Sequence, residues 1–143
     1  MADIRDLVQI EVPQAHAYPF VSSGAGFAKW WAEDMTPQAD GTVDLGFFNR
    51  GTVYSLQLIR SAVPSGMEWM CLSGKEWKGA RLLFQLSESK DQTLLRFTHA
   101  DWEAETDYFL SCNATWGALM FRLKAAAEGK PVRPLFSRNG WAL

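Results

Sequence analysis

Several features that mark large functional classes are missing from this sequence of 143 residues. The net charge is only −2 and no basic run is longer than a pair, so the basic face expected of a nucleic-acid-binding protein is absent. No apolar run approaches the roughly 20 residues that a helix needs to cross a membrane. The first ten residues also lack the apolar segment of a secretory signal. We therefore expect a cytoplasmic protein with no nucleic-acid and no membrane partner.

Groups for metal binding and for covalent catalysis are also scarce. The two histidines and two cysteines lie far apart, and no glycine-rich phosphate loop is present, so we expect no metal ion and no cofactor. Cys71 and Cys112 each lie among apolar residues and are expected to pack as reduced thiols rather than in a disulfide. Because no nearby positive charge would lower the pKa of either thiol, neither is a good candidate for a nucleophile.

Aromatic residues, by contrast, are abundant. They make up 13% of the chain and include seven tryptophans and nine phenylalanines. A hydrophobic content of 48% with 21% charged residues is typical of a globular protein, and the length fits one domain. We expect a single domain at 1–143, with its core in about residues 4–129 and a tail at 130–143 that packs on the surface or against a partner.

The first part of the chain is predicted to contain one strand and two short helices. Alternating apolar and polar residues predict a strand at 6–12. Pro13 fits the first turn of a helix that runs to about Ser22, and Pro19 should kink or shorten that helix. A second short helix is predicted across residues 27–34, where the sequence reads FAKWWAED.

Five strand-like runs follow, at residues 42–49, 52–63, 67–73, 80–89 and 93–102. The short turn segments between them predict an antiparallel meander, which gives six strands with the first one. Alternation places four groups of side chains on one face: Val43, Leu45 and Phe47; Met67, Trp69 and Cys71; Leu82, Phe84 and Leu86; Leu95, Phe97 and His99.

The last element is predicted to be a long amphipathic helix. Thr106 is a suitable N-cap, and Gly129 followed by Pro131 should end the helix. Steps of three and four residues place one apolar stripe on a single face, consisting of Phe109, Cys112, Trp116, Leu119, Leu123 and Ala127.

This order of elements resembles the START-like (SRPBCC) superfamily. Within it, the chain resembles proteins similar to the activator of the 90-kDa heat-shock-protein ATPase, and the matching segments cover nearly the whole chain. The segments are FAKWW (27–31), EWMC (68–71), EWKGARLLFQL (76–86), LLRFTHADW (94–102) and CNATWGALMFRLKAAAEG (112–129), together with Pro13 and Tyr18.

The resemblance implies an α+β helix-grip fold. In this fold a curved, six-stranded antiparallel sheet wraps around the long C-terminal helix, two short helices lie between strands 1 and 2, and a cavity separates sheet and helix. The superfamily includes lipid binders, cyclases, stress proteins and co-chaperone domains, so the fold alone does not decide the activity.

The adjacent Trp30 and Trp31 suggest two different roles. Neighbouring side chains on a helix point about 100° apart, so both indoles are not expected to enter one pocket. We expect one indole to anchor the short helices to the sheet and the other to line the mouth of the cavity.

His99 is the candidate for acid–base chemistry. Asp101 follows it by two residues on the same predicted face, and such a pair can orient an imidazole as a general base. The simpler interpretation is a buried histidine whose hydrogen bonds are satisfied inside the core, and we expect no catalytic residue.

Binding of a small hydrophobic molecule, aromatic or lipid-like, is the function that these patterns favour. The expected ligand-binding residues are Trp30, Trp31, Phe47, Trp69, Phe84, Phe97, His99, Trp116 and Met120. Tyr54 or Arg81 could add a polar group, and an uncharged ligand is expected because His99 is the main ionisable residue inside. Two alternatives stay open: a co-chaperone-like interaction module with a chaperone or homodimer partner, and a cyclase or hydrolase that uses His99.

Overall fold

One antiparallel sheet and one long helix make up most of the protein, as seen in a computed structural model that describes residues 1–141 and only the backbone of Trp141. The sheet strands are β1 (Ala2–Ile10), β2 (Asp34–Pro37), β3 (Thr42–Phe47), β4 (Thr52–Ala62), β5 (Gly66–Cys71), β6 (Arg81–Ser89) and β7 (Gln92–Trp102). Their order in the sheet is β1-β7-β6-β5-β4-β3-β2. The last two strands, β8 (Phe136–Ser137) and β9 (Gly140–Trp141), form a separate hairpin.

Three helices accompany the sheet. They are α1 (Gln14–Ala17), α2 (Gly24–Phe27) and α3 (Asp107–Ala127), and a 3₁₀ turn (Tyr18–Phe20) follows α1. The first α-helix is shortened as expected from Pro19, which lies in the 3₁₀ turn. Pro13 is the N-cap of α1 rather than its first residue.

The α+β architecture and the long final helix are as expected, but the sheet has seven strands instead of six. The additional strand, β2, pairs with β3 and begins at Asp34, where the helix predicted across residues 27–34 should end, whereas α2 already ends at Phe27. The carbonyls of Trp30 and Trp31 would accept bonds within such a helix, but they accept instead from the N–H groups of Leu135 and Phe136, at 3.1 and 3.0 Å. A partner about 100 residues away thus overrides the local helix preference.

The predicted inner face of the meander is buried throughout, and the strand register explains why. Met67 lies opposite Phe84, which in turn lies opposite Phe97, so three apolar side chains form one row across β5, β6 and β7. Trp69, Leu82 and His99 form the next row. The strand predicted at 6–12 instead begins at Ala2 and ends at Ile10, because the chain turns into α1.

The final helix has the predicted start, stop and buried face. The Thr106 hydroxyl accepts a hydrogen bond from the N–H of Phe109 at 3.2 Å, and Gly129 follows the helix with a φ of 77°. The six residues of the predicted stripe are all buried, together with Met120. These side chains belong to the same core as the inner face of the sheet.

The tail beyond α3 packs back on the domain. Phe136 forms a parallel bridge with Ala32, and the N–H of Glu33 donates to the carbonyl of Phe136 at 2.8 Å. The N–H of Asn49 donates to the carbonyl of Arg138 at 2.6 Å, so the tail also holds the loop after β3. The hairpin therefore covers one end of the space between the sheet and α3.

Candidate functional site

A cavity of about 600 Å³ lies between the sheet and α3. Its walls come from the β3–β4 hairpin, the loop at 73–79, the first half of α3 and the C-terminal hairpin. Eight aromatic residues line it: Trp31, Phe47, Phe48, Tyr54, Trp77, Tyr108, Trp116 and Phe136. A volume of 300–1,000 Å³ with mostly apolar walls is usual for small-molecule sites.

Three indoles in mutual contact form one wall of the cavity. The ring centroid of Trp31 lies 5.0 Å from that of Trp116 and 6.2 Å from that of Trp77, and Trp77 stacks with Trp116 at 6.1 Å. All three side chains are buried, which fixes their ring planes. The wall therefore presents flat, rigid surfaces to the cavity.

Two phenol groups supply the main polar feature of the interior. The hydroxyl oxygens of Tyr54 on β4 and Tyr108 on α3 are 2.6 Å apart. Burial raises the pKa of Tyr54, and burial together with the hydrogen bond to Tyr54 raises the pKa of Tyr108. Both phenols are therefore neutral near pH 7 and can donate hydrogen bonds.

The mouth of the cavity carries an exposed cation and an unusual turn. Lys75 lines the mouth and makes no ion pair with any residue in the described range 1–141. Phe48, Asn49 and Arg50 have consecutive φ values of 52°, 56° and 63°, a left-handed turn that costs energy for such residues. A bond of 2.7 Å from Arg50 Nη1 to Oδ1 of the buried Asp34 holds this turn.

The loop at 73–79 is attached to the start of α3. The Thr106 hydroxyl donates to Glu76 Oε1 at 2.6 Å while it caps the helix, as described above. Because Trp77 lies in this loop and Tyr108 lies in the first turn of α3, one threonine positions two sides of the cavity.

His99 lies beside the cavity and does not line it. Its Nδ1 accepts a hydrogen bond from Nε1 of Trp116 at 3.0 Å, and burial lowers the histidine pKa to about 3. The alternative interpretation, in which Asp101 orients the imidazole, is wrong. The Asp101 carboxylate instead accepts from Nε of Arg81 at 2.7 Å on the outer face, where Glu68 also bonds to Arg81. The backbone explains this, because Asp101 has a φ of 70° that breaks the alternation of β7.

Trp30 and Trp31 share one buried site, contrary to the expectation that they diverge. Both are at most 1% exposed, and their rings stack at 5.7 Å with an interplanar angle of 18°. This is possible because the two residues follow α2 instead of lying within a helix. Nε1 of Trp30 donates to the carbonyl of Phe20 at 2.9 Å and anchors the short helices, while Trp31 lines the cavity.

The thiols and the remaining ionisable groups have ordinary structural settings. Cys71 and Cys112 are free and buried; burial raises the pKa of Cys71 to about 12 and also raises that of Cys112.

Among residues 1–141, no three His, Cys, Asp or Glu side chains are grouped so that they could hold a metal ion. Within the same part of the chain, no helix combines the length and apolar character needed to cross a membrane.

Comparisons with solved structures identify the fold. No protein-family model matches the sequence, and no curated protein sequence matches it. Among solved structures, the Aha1 dimer from Colwellia psychrerythraea matches with a TM-score of 0.78 and 26% identity, over 90% of this chain and 97% of that one. The chain has a START-like, Aha1-like fold.

Two further structures match at lower identity and support the fold alone. Protein SSP2350 from Staphylococcus saprophyticus has a TM-score of 0.73 and 16% identity, over 96% of this chain and 99% of that one. CalU16 from Micromonospora echinospora has a TM-score of 0.69 and 18% identity, over 90% of this chain and 76% of that one. Both are thus START-like neighbours in architecture.

Only three of the nine residues predicted to bind a ligand line the cavity. Trp31, Phe47 and Trp116 line it. The other six pack in the buried core beside it: Trp30, Trp69, Phe84, Phe97, His99 and Met120. These six lie where α2 and α3 cover β5, β6 and β7 closely, whereas the cavity opens over β3 and β4.

Several lining residues lie outside the predicted set, and some of them carry a sequence signal. Trp77 stands in the polar loop GKEWKG, where a large apolar side chain needs a structural reason. Tyr108, Ser111 and Thr115 lie at steps of three and four beside the buried stripe of α3. Phe136 gives no local signal, because its partner Ala32 is distant in sequence.

Proposed function

We propose that the protein binds a small, flat, mainly apolar aromatic molecule in the cavity between the sheet and α3. The observation that carries this proposal is the cavity of about 600 Å³ with a wall of three buried indoles. A buried ring surface of about 250 Å² gains roughly 6 kcal/mol at 25 cal/mol per Å², before the costs of association. Weak to micromolar binding is therefore expected.

The ionisable groups support binding rather than catalysis. His99 is buried and uncharged near pH 7, because its pKa is lowered to about 3, so it is not a general acid. Its basic nitrogen, Nδ1, already accepts from Trp116 and is not free to act as a general base. Among the described residues, Cys112 supplies the one sulfur that lines the cavity. Burial raises the pKa of this thiol, so it is a poor nucleophile. A cyclase or hydrolase based on His99 is therefore disfavoured.

A cavity-filling variant tests the proposal directly. Thr115 lines the cavity on α3, whereas the preceding Ala114 is exposed and does not. Thr115→Phe should abolish the NMR shifts that flat indoles or fatty acids cause at the indole N–H signals of Trp77 and Trp116. Ala114→Phe is the matched control and should leave them unchanged. If no compound shifts these signals at millimolar concentration, the cavity does not bind ligands.

A second candidate is an interaction module that associates with its own copy. β1 forms one edge of the sheet, and three large apolar side chains are exposed on β1 and α3: Leu7 (57%), Leu110 (54%) and Phe121 (67%). The Aha1 structure that matches at 26% identity is a dimer. We infer that β1 and the outer face of α3 meet a second copy of this chain, since open strand edges readily pair.

Sedimentation velocity over a range of concentrations tests this association. Phe121→Lys should shift the protein toward monomer. Val63→Lys, at a 70% exposed position in the β4–β5 turn, is the control and should leave the association unchanged. A wild-type protein that stays monomeric at the highest concentration would contradict the second candidate.

A further inference from the structure

The hydroxyl pair inside the cavity can donate a hydrogen bond to a bound ligand. Tyr54 and Tyr108 bring two hydroxyl hydrogens, and only one of them can lie between oxygens that are 2.6 Å apart. The sulfur of Cys112 is also near Tyr108, but sulfur accepts hydrogen bonds only weakly. A ligand oxygen therefore competes easily for the second hydrogen, and the neutral phenols cannot repel it.

The rest of the polar lining is also rich in donors. Lys75 contributes an ammonium group at the mouth and Ser111 contributes a hydroxyl from α3, whereas the hydroxyl of Thr115 already donates to the carbonyl of Ser111 at 3.0 Å. No Asp or Glu is among the cavity-lining residues that the structure describes. The acid next to Lys75 in sequence, Glu76, accepts from the Thr106 hydroxyl at 2.6 Å and does not line the cavity. Its charge adds to the effect of burial in raising the pKa of Tyr54 and of Cys112, so hydrogen-bond donors, rather than a net positive charge, mark this end of the site.

The loop that carries the cation lies next to the phenol pair. The loop that carries Lys75 packs on Tyr54, because a Cβ added at Gly74 would lie 3.0 Å from two carbons of the Tyr54 ring. One functional group on a ligand can therefore meet both the hydroxyl pair and the field of Lys75. This group must accept hydrogen bonds, and a negative charge on it is favourable.

We infer that the ligand is an aromatic carboxylate, an inference that rests on the proposed binding function. Its ring lies against the indoles of Trp31, Trp77 and Trp116, and its carboxylate accepts from the tyrosine pair on the side of Lys75. This changes the expectation of an uncharged ligand, because the described lining includes the cation Lys75 and does not include His99. An ammonium group on the same ring would meet donors and a like charge. A methyl group would displace water from the hydroxyl without replacing its hydrogen bond.

Four naphthalene derivatives that differ in one substituent test this inference. The protein is titrated with 2-naphthoate, 2-acetylnaphthalene, 2-methylnaphthalene and 2-naphthylmethylammonium, and binding is followed by calorimetry and by the indole N–H signals of Trp77 and Trp116. 2-Naphthoate should bind about three- to tenfold more tightly than 2-methylnaphthalene, the factor expected for one hydrogen bond. The ammonium compound should bind most weakly. Added salt should reduce the advantage of 2-naphthoate over 2-acetylnaphthalene.

Conservative variants assign the preference to individual groups. Tyr54→Phe and Tyr108→Phe should each remove most of the advantage that the two oxygen-bearing compounds have over 2-methylnaphthalene. Lys75→Gln should reduce only the advantage of 2-naphthoate over 2-acetylnaphthalene. Lys78→Gln, an exposed lysine of the same loop that does not line the cavity, is the control and should change nothing.

The possible failures are distinguishable. If the methyl or the ammonium compound binds as tightly as 2-naphthoate, the carboxylate inference is wrong while the proposed binding function stands. The same holds if the wild-type ranking survives in all three variants at the tyrosines and Lys75. If none of the four compounds shifts the signals of Trp77 and Trp116, the proposed function fails, and the carboxylate inference fails with it.

Discussion

Trp116 donates a hydrogen bond from its indole Nε1 to Nδ1 of His99 across 3.0 Å, and both side chains are at most 1% exposed. The bond makes Nδ1 the acceptor, so the neutral imidazole carries its hydrogen on Nε2. A protonated imidazole has no acceptor and cannot keep this bond. The wall of the cavity is therefore connected to a histidine that is stable only when uncharged.

This connection predicts a loss of stability in mild acid. The folded-state pKa of His99, about 3, lies below its usual value of 6.5, so the unfolded chain binds a proton that the folded chain does not. The contribution is complete above about pH 6.5 and is lost progressively toward pH 3. From pH 7 to pH 5 the free energy of unfolding should fall by about 2 kcal/mol from this group, as measured by urea denaturation.

The two histidines provide a matched pair of variants for this experiment. His99→Gln removes the titrating group and should flatten the pH dependence between pH 7 and pH 5. His16→Gln replaces the other, exposed histidine and should leave the wild-type slope in place. Equal slopes in the wild type and in His99→Gln would show that the buried imidazole does not set the pH dependence.

Truncation of Trp116 should be strongly destabilising. Trp116 is 1% exposed and contacts Trp31, Phe97 and His99, so Trp116→Ala should cost about 3–5 kcal/mol in chemical denaturation. Leu110→Ala, at a 54% exposed position on the same helix, should cost less than about 0.5 kcal/mol. A loss below about 1 kcal/mol for Trp116→Ala would mean that the stripe of α3 is not buried as described.

Removal of the Thr106 hydroxyl should cost more than an ordinary N-cap. Thr106→Ala loses both the bond from the N–H of Phe109 and the bond to Glu76, so a loss of about 1–2 kcal/mol is expected. Thr106→Ser should keep most of the stability, because serine caps equally well. Glu76→Ala removes only the second bond. If it destabilises the protein as much as Thr106→Ala does, the cap contributes nothing.

Two glycines should respond to alanine in opposite directions. A Cβ at Gly26 would lie 2.2 Å from the carbonyl oxygen of Pro19, a backbone atom, so Gly26→Ala should destabilise by about 1–3 kcal/mol or more. No atom lies within 4 Å of a Cβ at Gly117 in α3, and Gly117→Ala should stabilise by about 0.5–1 kcal/mol. Thermal denaturation measures both variants. A stabilising Gly26→Ala would contradict the packing of α2 on the 3₁₀ turn, and a destabilising Gly117→Ala would contradict the open space beside Gly117.

The elements that could be predicted are those whose pattern is local. Alternation identifies β3 to β7, because one face of each strand is buried and the other is not. The apolar stripe and the cap identify α3 for the same reason. The extended stretch that leads into β2, and the docking of the C-terminal tail on it, escape prediction because hydrogen bonds join residues 30–33 to 135–136 and no local window contains both. β2 itself has only four residues, too few to show a clear alternation.

The position of the cavity could not be predicted from alternation. Alternation tells which side chains point inward, but Phe84 and Phe97 point inward under a covered part of the sheet, while Phe47 points inward at its open end. What separates them is the place at which α2 and the loop containing Trp77 cross the sheet. That place depends on contacts such as Gly26 against Pro19, which a sequence pattern does not encode.

The stacked pair Trp30 and Trp31 has a consequence for spectroscopy. Trp31 also contacts Trp77 and Trp116, so four of the seven tryptophans form one continuous chain of indoles. Excited states of indoles at such separations are coupled, and light absorbed at Trp30 is emitted from other members of the chain. A quencher in the cavity therefore also reduces the fluorescence that follows absorption by Trp30, although Trp30 does not contact the quencher. The intrinsic fluorescence of this protein reports the group and not any single residue.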